Sequence, residues 1–246
     1  MNAPPISAQR FIGQRVPRKE DGRLLTGRGS FVDDIILPGM LHAAFVHSPI
    51  ARGTIRSIDT DVARAQPGVH AVLTQADLAP FGVTMLSFFL GPVEVAMTPL
   101  ADGRVAYVGH PVALVIADDR YLAEDAASLV VVDYAEEAAV VTLDDARLGP
   151  RVHPDTDDNV AALMGEEDAD AALEALLAGA PHLVSQSIRH QRIAQSPMET
   201  RGVVASLQGE SELLVHITCA GPQLVARWLS LALDRPGLSV RVIAKD

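Results

Sequence analysis

PVALVIADDRYLAEDAASLVVVDY, residues 111–134, changes its periodicity twice, and those changes decide the fold class. Residues 111–118 are an almost continuous apolar run, the pattern of a buried strand. Asp118 or Asp119 then offers a side-chain oxygen to the free amides of a helix start. Across residues 120–129, Leu122, Ala126 and Leu129 recur on one helical face. Residues 130–134 return to a β-branched run, and residues 138–142 predict a short edge strand. Strand, helix and strand in this order make an α+β unit.

Upstream the same alternation continues. LHAAFVHS (41–48), TIRSID (54–59) and VHAVLT (69–74) read as strands. Asp59 or Thr60 can cap a short helix over residues 61–66, which Pro67-Gly68 stops, and Thr74 opens another over 76–78. Residues 80–103 are irregular, and their apolar run Met85–Leu90 is expected to pack on its own domain or on a partner. Residues 104–108 predict one more strand. Residues 1–40 read as an extended arm, with Arg10, Arg15, Arg18, Lys19, Arg23 and Arg28 spread through it. Its glycines, Gly22, Gly27 and Gly29, lack phosphate-loop spacing and read as turns.

Downstream, residues 149–165 carry Gly149-Pro150, His153-Pro154 and three acids, the composition of a linker. Residues 166–178 predict a helix with its acids in the first turn, where the helix dipole favours them. Strands are expected over 182–192, 202–207 and 213–218, an amphipathic helix over 222–233, and a strand over 238–244. The division is thus an arm (1–40), an α+β domain (41–148), a linker (149–165) and the start of a second domain (166–246).

Composition narrows the functions. The 246 residues carry 20 basic and 31 acidic side chains, a formal charge of −11. That argues against a nucleic-acid partner, which takes a basic face to displace counterions from phosphates. Apolar residues make up 48%, enough for a sizeable core, but no run approaches the roughly 20 apolar residues of a membrane helix. A single cysteine forms no intramolecular disulfide and fits a reducing compartment, so a cytoplasmic location is expected. The first residues lack the basic-then-apolar pattern of a secretory signal.

Residue chemistry alone assigns no catalytic or metal-binding residue. Asp155, Asp157 and Asp158 beside His153 lack the glycine and terminal glutamate of a calcium loop and read as solvated linker. Cys219 has no adjacent base and reads as a small buried hydrophobe. The eight histidines show neither HxH nor HExxH spacing. HQRIAQSPMETRG (190–202) gathers Gln191, Arg192, Gln195, Glu199 and Arg201 around a Pro-Met step, and reads as a loop with a Glu199–Arg201 ion pair.

Several segments together carry a resemblance. RLLTGRGSFVDD (23–34), LPGMLHAAFVHSPIARGTIRSIDT (37–60) and PGVHAVLT (67–74) are similar to the start of the large subunit of molybdenum hydroxylases, the family of xanthine dehydrogenase, aldehyde oxidase and aerobic carbon monoxide dehydrogenase. YVGHPVALVIADDRYLAEDAASLVVVDY (107–134) resembles the second half of that family's hammerhead domain. RHQRIAQSPMETRGVVAS (189–206) and GPQLVARWLSLALDRPGLSVRVIAKD (221–246) resemble the opening of its first molybdopterin-binding domain.

The resemblance implies a hammerhead α+β domain followed by the first part of a molybdopterin-binding α+β domain. It implies molybdopterin, in its cytosine dinucleotide form, with molybdenum in the full assembly only. It further implies an iron–sulfur subunit, an FAD subunit and a separately supplied C-terminal molybdopterin-binding half as partners. The assembly would hydroxylate an aldehyde or an N-heterocycle, or oxidise carbon monoxide, while this chain alone would be inactive. The family's Gly-Gly-Gly-Phe-Gly cofactor loop and catalytic glutamate have no matched position, so no catalytic, cofactor-binding or metal residue is carried over. Where many relatives place a glutamine facing molybdenum, this sequence has Ala220, and Gln223 stands where they have histidine. After Tyr134, Ala135-Glu136-Glu137-Ala138 replaces the family's Glu-Pro-Leu-Pro. The alternatives are a non-catalytic hammerhead-type module that binds a partner, with Met85–Leu90 and the edge at 238–244 as contact surfaces, a degenerate remnant, and an unrelated solute-binding domain.

Overall fold

The computed structural model describes residues 13, 15–78, 98–160 and 169–245. Its elements in chain order are α1 (Asp21–Leu24), a 3-10 turn (Val32–Asp34), β1 (His42–His47), β2 (Gly53–Asp59), α2 (Asp61–Arg64), β3 (Val69–Thr74), α3 (Gln75–Leu78), β4 (Arg104–Val105), β5 (Pro111–Ala117), α4 (Arg120–Ser128), β6 (Val131–Glu136), α5 (Leu143–Leu148), α6 (Ala169–Ala178), β7 (Val203–Gln208), β8 (Glu212–Ile217), α7 (Pro222–Leu233) and β9 (Ser239–Ile243). Helices and strands are mixed without a βαβ repeat along the chain, an α+β class.

Strand β5 is the centre of the first sheet, ordered β1-β5-β3 and antiparallel throughout. A strand paired on both sides and covered on both faces reads as an apolar run rather than an alternation, and Val112 is buried on one face of β5 while Ala113, Val115 and Ala117 are buried on the other. Helix α4 lies on β1 and β5. It presents Ala123 and Ala126, whose small side chains let the helix approach the sheet closely. Asp119 is its cap: Leu122 N–H donates to Asp119 Oδ1 at 2.9 Å, while Asp118 pairs with His70 at 2.7 Å. Leu129, expected on the buried face, ends the helix half exposed.

The second antiparallel sheet is ordered β4-β2-β6. At its centre a Cβ on Gly53 would stand 2.6 Å from Ala135 O and 2.8 Å from Ile50 Cδ1, so the strands approach only because that position has no side chain. Ala63, Val72, Ala113, Val115, Ala126 and Val130 form one apolar cluster, and Ala101, Val105 and Val112 a second. Ile58 and Val132 pack against both, which joins the two sheets into one core. Each fully buried valine or leucine contributes about 1.5–3 kcal/mol of transfer free energy.

Some sequence expectations need correction. Residues 138–142 are not a strand. Thr142 and Asp145 form a reciprocal capping box, each side chain accepting the other's backbone N–H at 3.0 Å, and α5 follows. The strand predicted at 104–108 is two residues long. Residues 182–192 form neither strand nor helix, and Val184 and Ile188 within them, like Ile193 and Met198 beyond, stand exposed. Alternating apolar residues mark a strand only when a neighbouring edge completes its hydrogen bonds. The apolar run Met85–Leu90 lies outside the described residues.

The third sheet, β7-β8-β9, is mixed: β7 and β8 are antiparallel, β8 and β9 parallel with α7 between them. Its core is small. Among the described side chains of residues 171–245, Val215 at 3% exposure is the one buried apolar residue. Val203 and Leu207 on edge strand β7, and Leu224 and Leu231 on α7, remain open to solvent.

Polar contacts tie the hammer-like first part together. Glu137, which breaks the expected Pro-rich pattern after Tyr134, accepts Arg104 Nη2 at 2.7 and 2.9 Å and Arg52 Nη2 at 2.8 Å. Arg104 Nη1 also donates to Thr54 Oγ1 at 2.8 Å. Burial pushes the Glu137 carboxyl up, but the hydrogen bond and charge of Arg104, with the charge of Arg52, outweigh it and hold the group below its usual range. The acidic stretch predicted as linker is a knot of turns. Asn159 Oδ1 accepts Val152 N–H at 2.7 Å and its amide donates to Ala146 O at 2.9 Å. Thr156, itself buried, sits 2.8 Å from His153 O and 2.7 Å from Asp158 O. His153 is held below its ordinary imidazole pKa of 6.5 by burial and by Arg104, with Asp155 opposing, and His110 by burial and by His153.

Two predictions follow from this packing. Leu100, 1% exposed, fills the core beside Gln75, whose Oε1 accepts its N–H at 3.2 Å. Leu100→Ala removes that packing and is expected to cost about 2–5 kcal/mol in urea unfolding. His110 and His153 are weaker bases folded than unfolded, so below about pH 6.5 the unfolded chain binds more protons and stability falls. The thermal midpoint therefore drops as the pH goes from about 7.5 to about 5.5, a range bracketing the imidazole pKa, and a His110→Asn/His153→Asn double variant shows a flatter profile over that range.

Candidate functional site

Parallel strands joined by a helix bind ligands outside their carboxyl ends, and β8-α7-β9 is the unit of that kind among the described residues. His216 pairs with Ile243, so Thr218 and Lys245 leave the sheet at the same end. Strand β7 enters there, because Thr218 N–H donates to Gly202 O at 3.1 Å. Thr218-Cys219-Ala220-Gly221 forms the loop from β8 into α7. Pro222 opens the helix at a position where its missing N–H costs nothing, and no side chain caps the helix at Gly221. The amides of Leu224 and Val225 both donate to Gly221 O at 3.1 Å. Thr218 Oγ1 and His216 Nδ1 are buried without a hydrogen-bond partner. Such groups cost free energy unless a further group satisfies them.

The arm closes over this edge. The 3-10 turn Val32–Asp34 is fixed by Asp34, whose Oδ2 accepts Phe31 N–H at 2.9 Å. Val32 is 5% exposed. Its N–H donates to Glu199 Oε1 at 2.9 Å, across 167 residues of sequence. A Cβ on Gly202 would stand 3.2 Å from Val32 Cγ1 and 3.8 Å from Thr218 Oγ1, so Gly202 lies against both the arm and the edge. Lys245 Nζ reaches Ser30 Oγ at 3.0 Å, and Arg120 of α4 pairs with Asp33. One short segment thereby touches the first part of the chain, the 199–202 loop and the end of β9.

The residues singled out in the sequence scatter. Ala220 does lie on the carboxyl edge, exposed, and its methyl group donates no hydrogen bond. Cys219 beside it is half-buried and free. Glu199 reaches the arm rather than Arg201, which corrects the expected ion pair. Arg192 instead donates to Val141 O at 3.2 Å. Among the described residues no three His, Cys, Asp or Glu side chains gather as a metal site. No described helix is long and apolar enough to cross a membrane. Glu199's role had no local signal, since its partner is an amide from the other end of the chain. Only the crowding of polar residues around Pro197-Met198 hinted that the stretch was special.

Two compact antiparallel sheets with a packing helix, followed by a mixed sheet whose parallel pair opens toward an uncapped helix, define a two-part α+β protein with a ligand edge on its second part. Residues 26–138 match the family model described as the aldehyde oxidase and xanthine dehydrogenase a/b hammerhead domain, and residues 152–246 the molybdopterin cofactor-binding domain. The chain belongs to the molybdenum hydroxylase large-subunit family. It is 38% identical to the carbon monoxide dehydrogenase large chain of Hydrogenophaga pseudoflava, over all of this chain and 33% of that protein. It is 40% identical to the nicotine 6-hydroxylase large subunit of Paenarthrobacter nicotinovorans, over 99% of this chain and 30% of that one. The solved structure of quinoline 2-oxidoreductase from Pseudomonas putida 86 matches with a TM-score of 0.79 and 34% identity, over 94% of this chain and 30% of that chain. The chain thus spans about a third of the length of the curated relatives it matches.

The carboxyl edge fits the polar, anionic parts of a molybdopterin. Thr218 Oγ1 is buried and unsatisfied, the N-terminus of α7 has no side-chain cap, and Lys245 adds a cation at the same end. Ala220 is the exception, an apolar side chain in a position where a donor would be useful. The close approach at Gly202 gives a direct test. Gly202→Ala forces a methyl group against Val32, and overpacking of that kind costs about 1–3 kcal/mol. Chemical denaturation of the variant checks the loss, which is expected to be absent in Gly22→Ala, where nothing lies within 4 Å and the backbone is not left-handed.

Proposed function

We propose that this chain supplies the hammerhead and the first cofactor-contacting part of a molybdenum hydroxylase large subunit, at its N-terminal end. In the full assembly the reaction is oxidative hydroxylation of an aldehyde or an N-heterocycle, or oxidation of carbon monoxide. The observation that carries the reading is the succession of the two family domains, in order, along one chain. The cofactor is molybdopterin in its cytosine dinucleotide form, and the location is cytoplasmic. An iron–sulfur subunit and an FAD subunit take the electrons onward. The rest of the large subunit covers the apolar surface at Val203, Leu207, Ile188 and Ile193, which the chain leaves exposed.

When bound, the cofactor supplies a Lewis-acidic metal that activates water and accepts electrons. The residues of this chain do the holding. Thr218 Oγ1 offers a donor and acceptor at the strand end, Gln223 offers the one amide of the first turn of α7 that is neither missing, as at Pro222, nor donated to Gly221 O, and Lys245 offers positive charge. None of these groups is a base placed to remove a proton, so the chain by itself has no turnover. Ala220 contributes no hydrogen bond, and it is the one observation that favours a non-catalytic module or a remnant.

Co-expression with the remainder of the large subunit and the two electron-transfer subunits tests the proposal. A stable complex with stoichiometric molybdenum and pterin is expected, and no oxidation of aldehyde, purine or carbon monoxide by the chain alone. A chain that stays alone and metal-free under co-expression supports the module reading, and turnover by the purified chain alone overturns the proposal.

A further inference from the structure

The segment Ser30–Asp34 is held from three sides. Arg120 on α4 pairs with Asp33, Lys245 after β9 donates to Ser30 Oγ at 3.0 Å, and Glu199 Oε1 accepts Val32 N–H at 2.9 Å. Two of these are ionic or hydroxyl contacts between exposed groups, and such contacts hold geometry weakly. The third is different. Val32 is buried, and its N–H has a charged acceptor, so the hydrogen bond is of the stronger, charge-assisted kind. Val32 also fills the space over Gly202, where no side chain intervenes, and Gly202 O holds Thr218 N–H at the mouth of the ligand edge.

From this geometry we infer that Ser30–Asp34 is a strap that positions the cofactor-facing edge, and that Glu199 is the positioning residue that latches it. Glu199 bonds the strap at Val32 N–H, which makes its role one of positioning. It acts through Val32 on Gly202, and through Gly202 on the start of the Thr218–Gly221 loop. The carboxylate on the 199–202 loop thereby links the shape of the ligand edge to the arm, and through Asp33 and Arg120 to the hammerhead. The link from edge to cofactor rests on the function proposed above, while the link from Glu199 to the edge does not.

Hydrogen exchange of the whole chain without cofactor separates the two. Glu199→Ala is expected to speed exchange about tenfold or more at Val32 and at Thr218, whose N–H donates to Gly202 O, while Val115 and Ala126 in the first core stay unchanged. Tenfold corresponds to about 1.4 kcal/mol. Glu199→Gln keeps an acceptor oxygen and is expected to restore most of the protection. Faster exchange at Val32 with none at Thr218 overturns the strap, as does equal protection in all three proteins. Should Glu199→Ala fail to fold, Glu199→Asp, whose carboxylate is one methylene shorter and falls short of Val32 N–H, carries the same comparison with the same expected and contrary results.

The second arm measures pterin retained by the full large subunit after desalting, where Glu199→Ala is expected to retain several-fold less than the unaltered subunit and Glu199→Gln close to normal. Equal retention overturns the link from edge to cofactor. An unaltered subunit that never holds pterin counts against the proposed function, and the exchange result still decides the strap.

Discussion

Apolar burial is shared unequally between the two parts of this chain, and the rest of the architecture follows from that. Among the described residues, thirteen of the fourteen buried apolar side chains lie at or before Val130, and Val215 is the fourteenth. The two sheets of the hammerhead close on each other through Ile58 and Val132. A three-stranded sheet under one helix has a small interface from which to exclude water, and sheets of this size depend on further packing. The exposed β7 face, the open side of α7 and the irregular stretch before β7 are the same deficit seen at three places.

Polar contacts supply order where apolar packing is thin. In the first part, Glu137 gathers Arg52, Arg104 and Thr54 at the rim of the second sheet. Between the parts, a single turn of the arm carries contacts to α4, to the 199–202 loop and to Lys245. Directional bonds of this kind specify geometry more than they add stability. That suits a ligand edge, which must hold a loop and a helix end in fixed relation but contributes little to folding.

Much of the hammerhead was legible in the sequence because its signals are local. The unbroken apolar run of β5, the Asp119 cap and the alternation in β1 and β3 each follow from a few neighbouring residues. What failed depended on distant partners or on competing local signals. Residues 138–142 carry a β-branched run, yet the Thr142–Asp145 capping box won and started α5. Residues 182–192 look like a strand but have no edge to pair with among the described residues. Glu199 was grouped with Arg201 by proximity in sequence, whereas its partner lies 167 positions away. Ala220 was legible as notable only through family resemblance, because an alanine in a loop announces nothing by itself.

Limited trypsin digestion of the intact chain, followed by mass spectrometry, tests the unequal partition most directly. Cleavage requires local opening, which is easy where few apolar contacts must break. The account predicts early cuts in the arm and at Arg189, Arg192 and Arg201, all exposed, with a long-lived fragment carrying β1 to β6. Loss of that fragment at the rate of the 189–201 cuts, through cleavage at Arg56 or Arg104 inside the sheets, would contradict it.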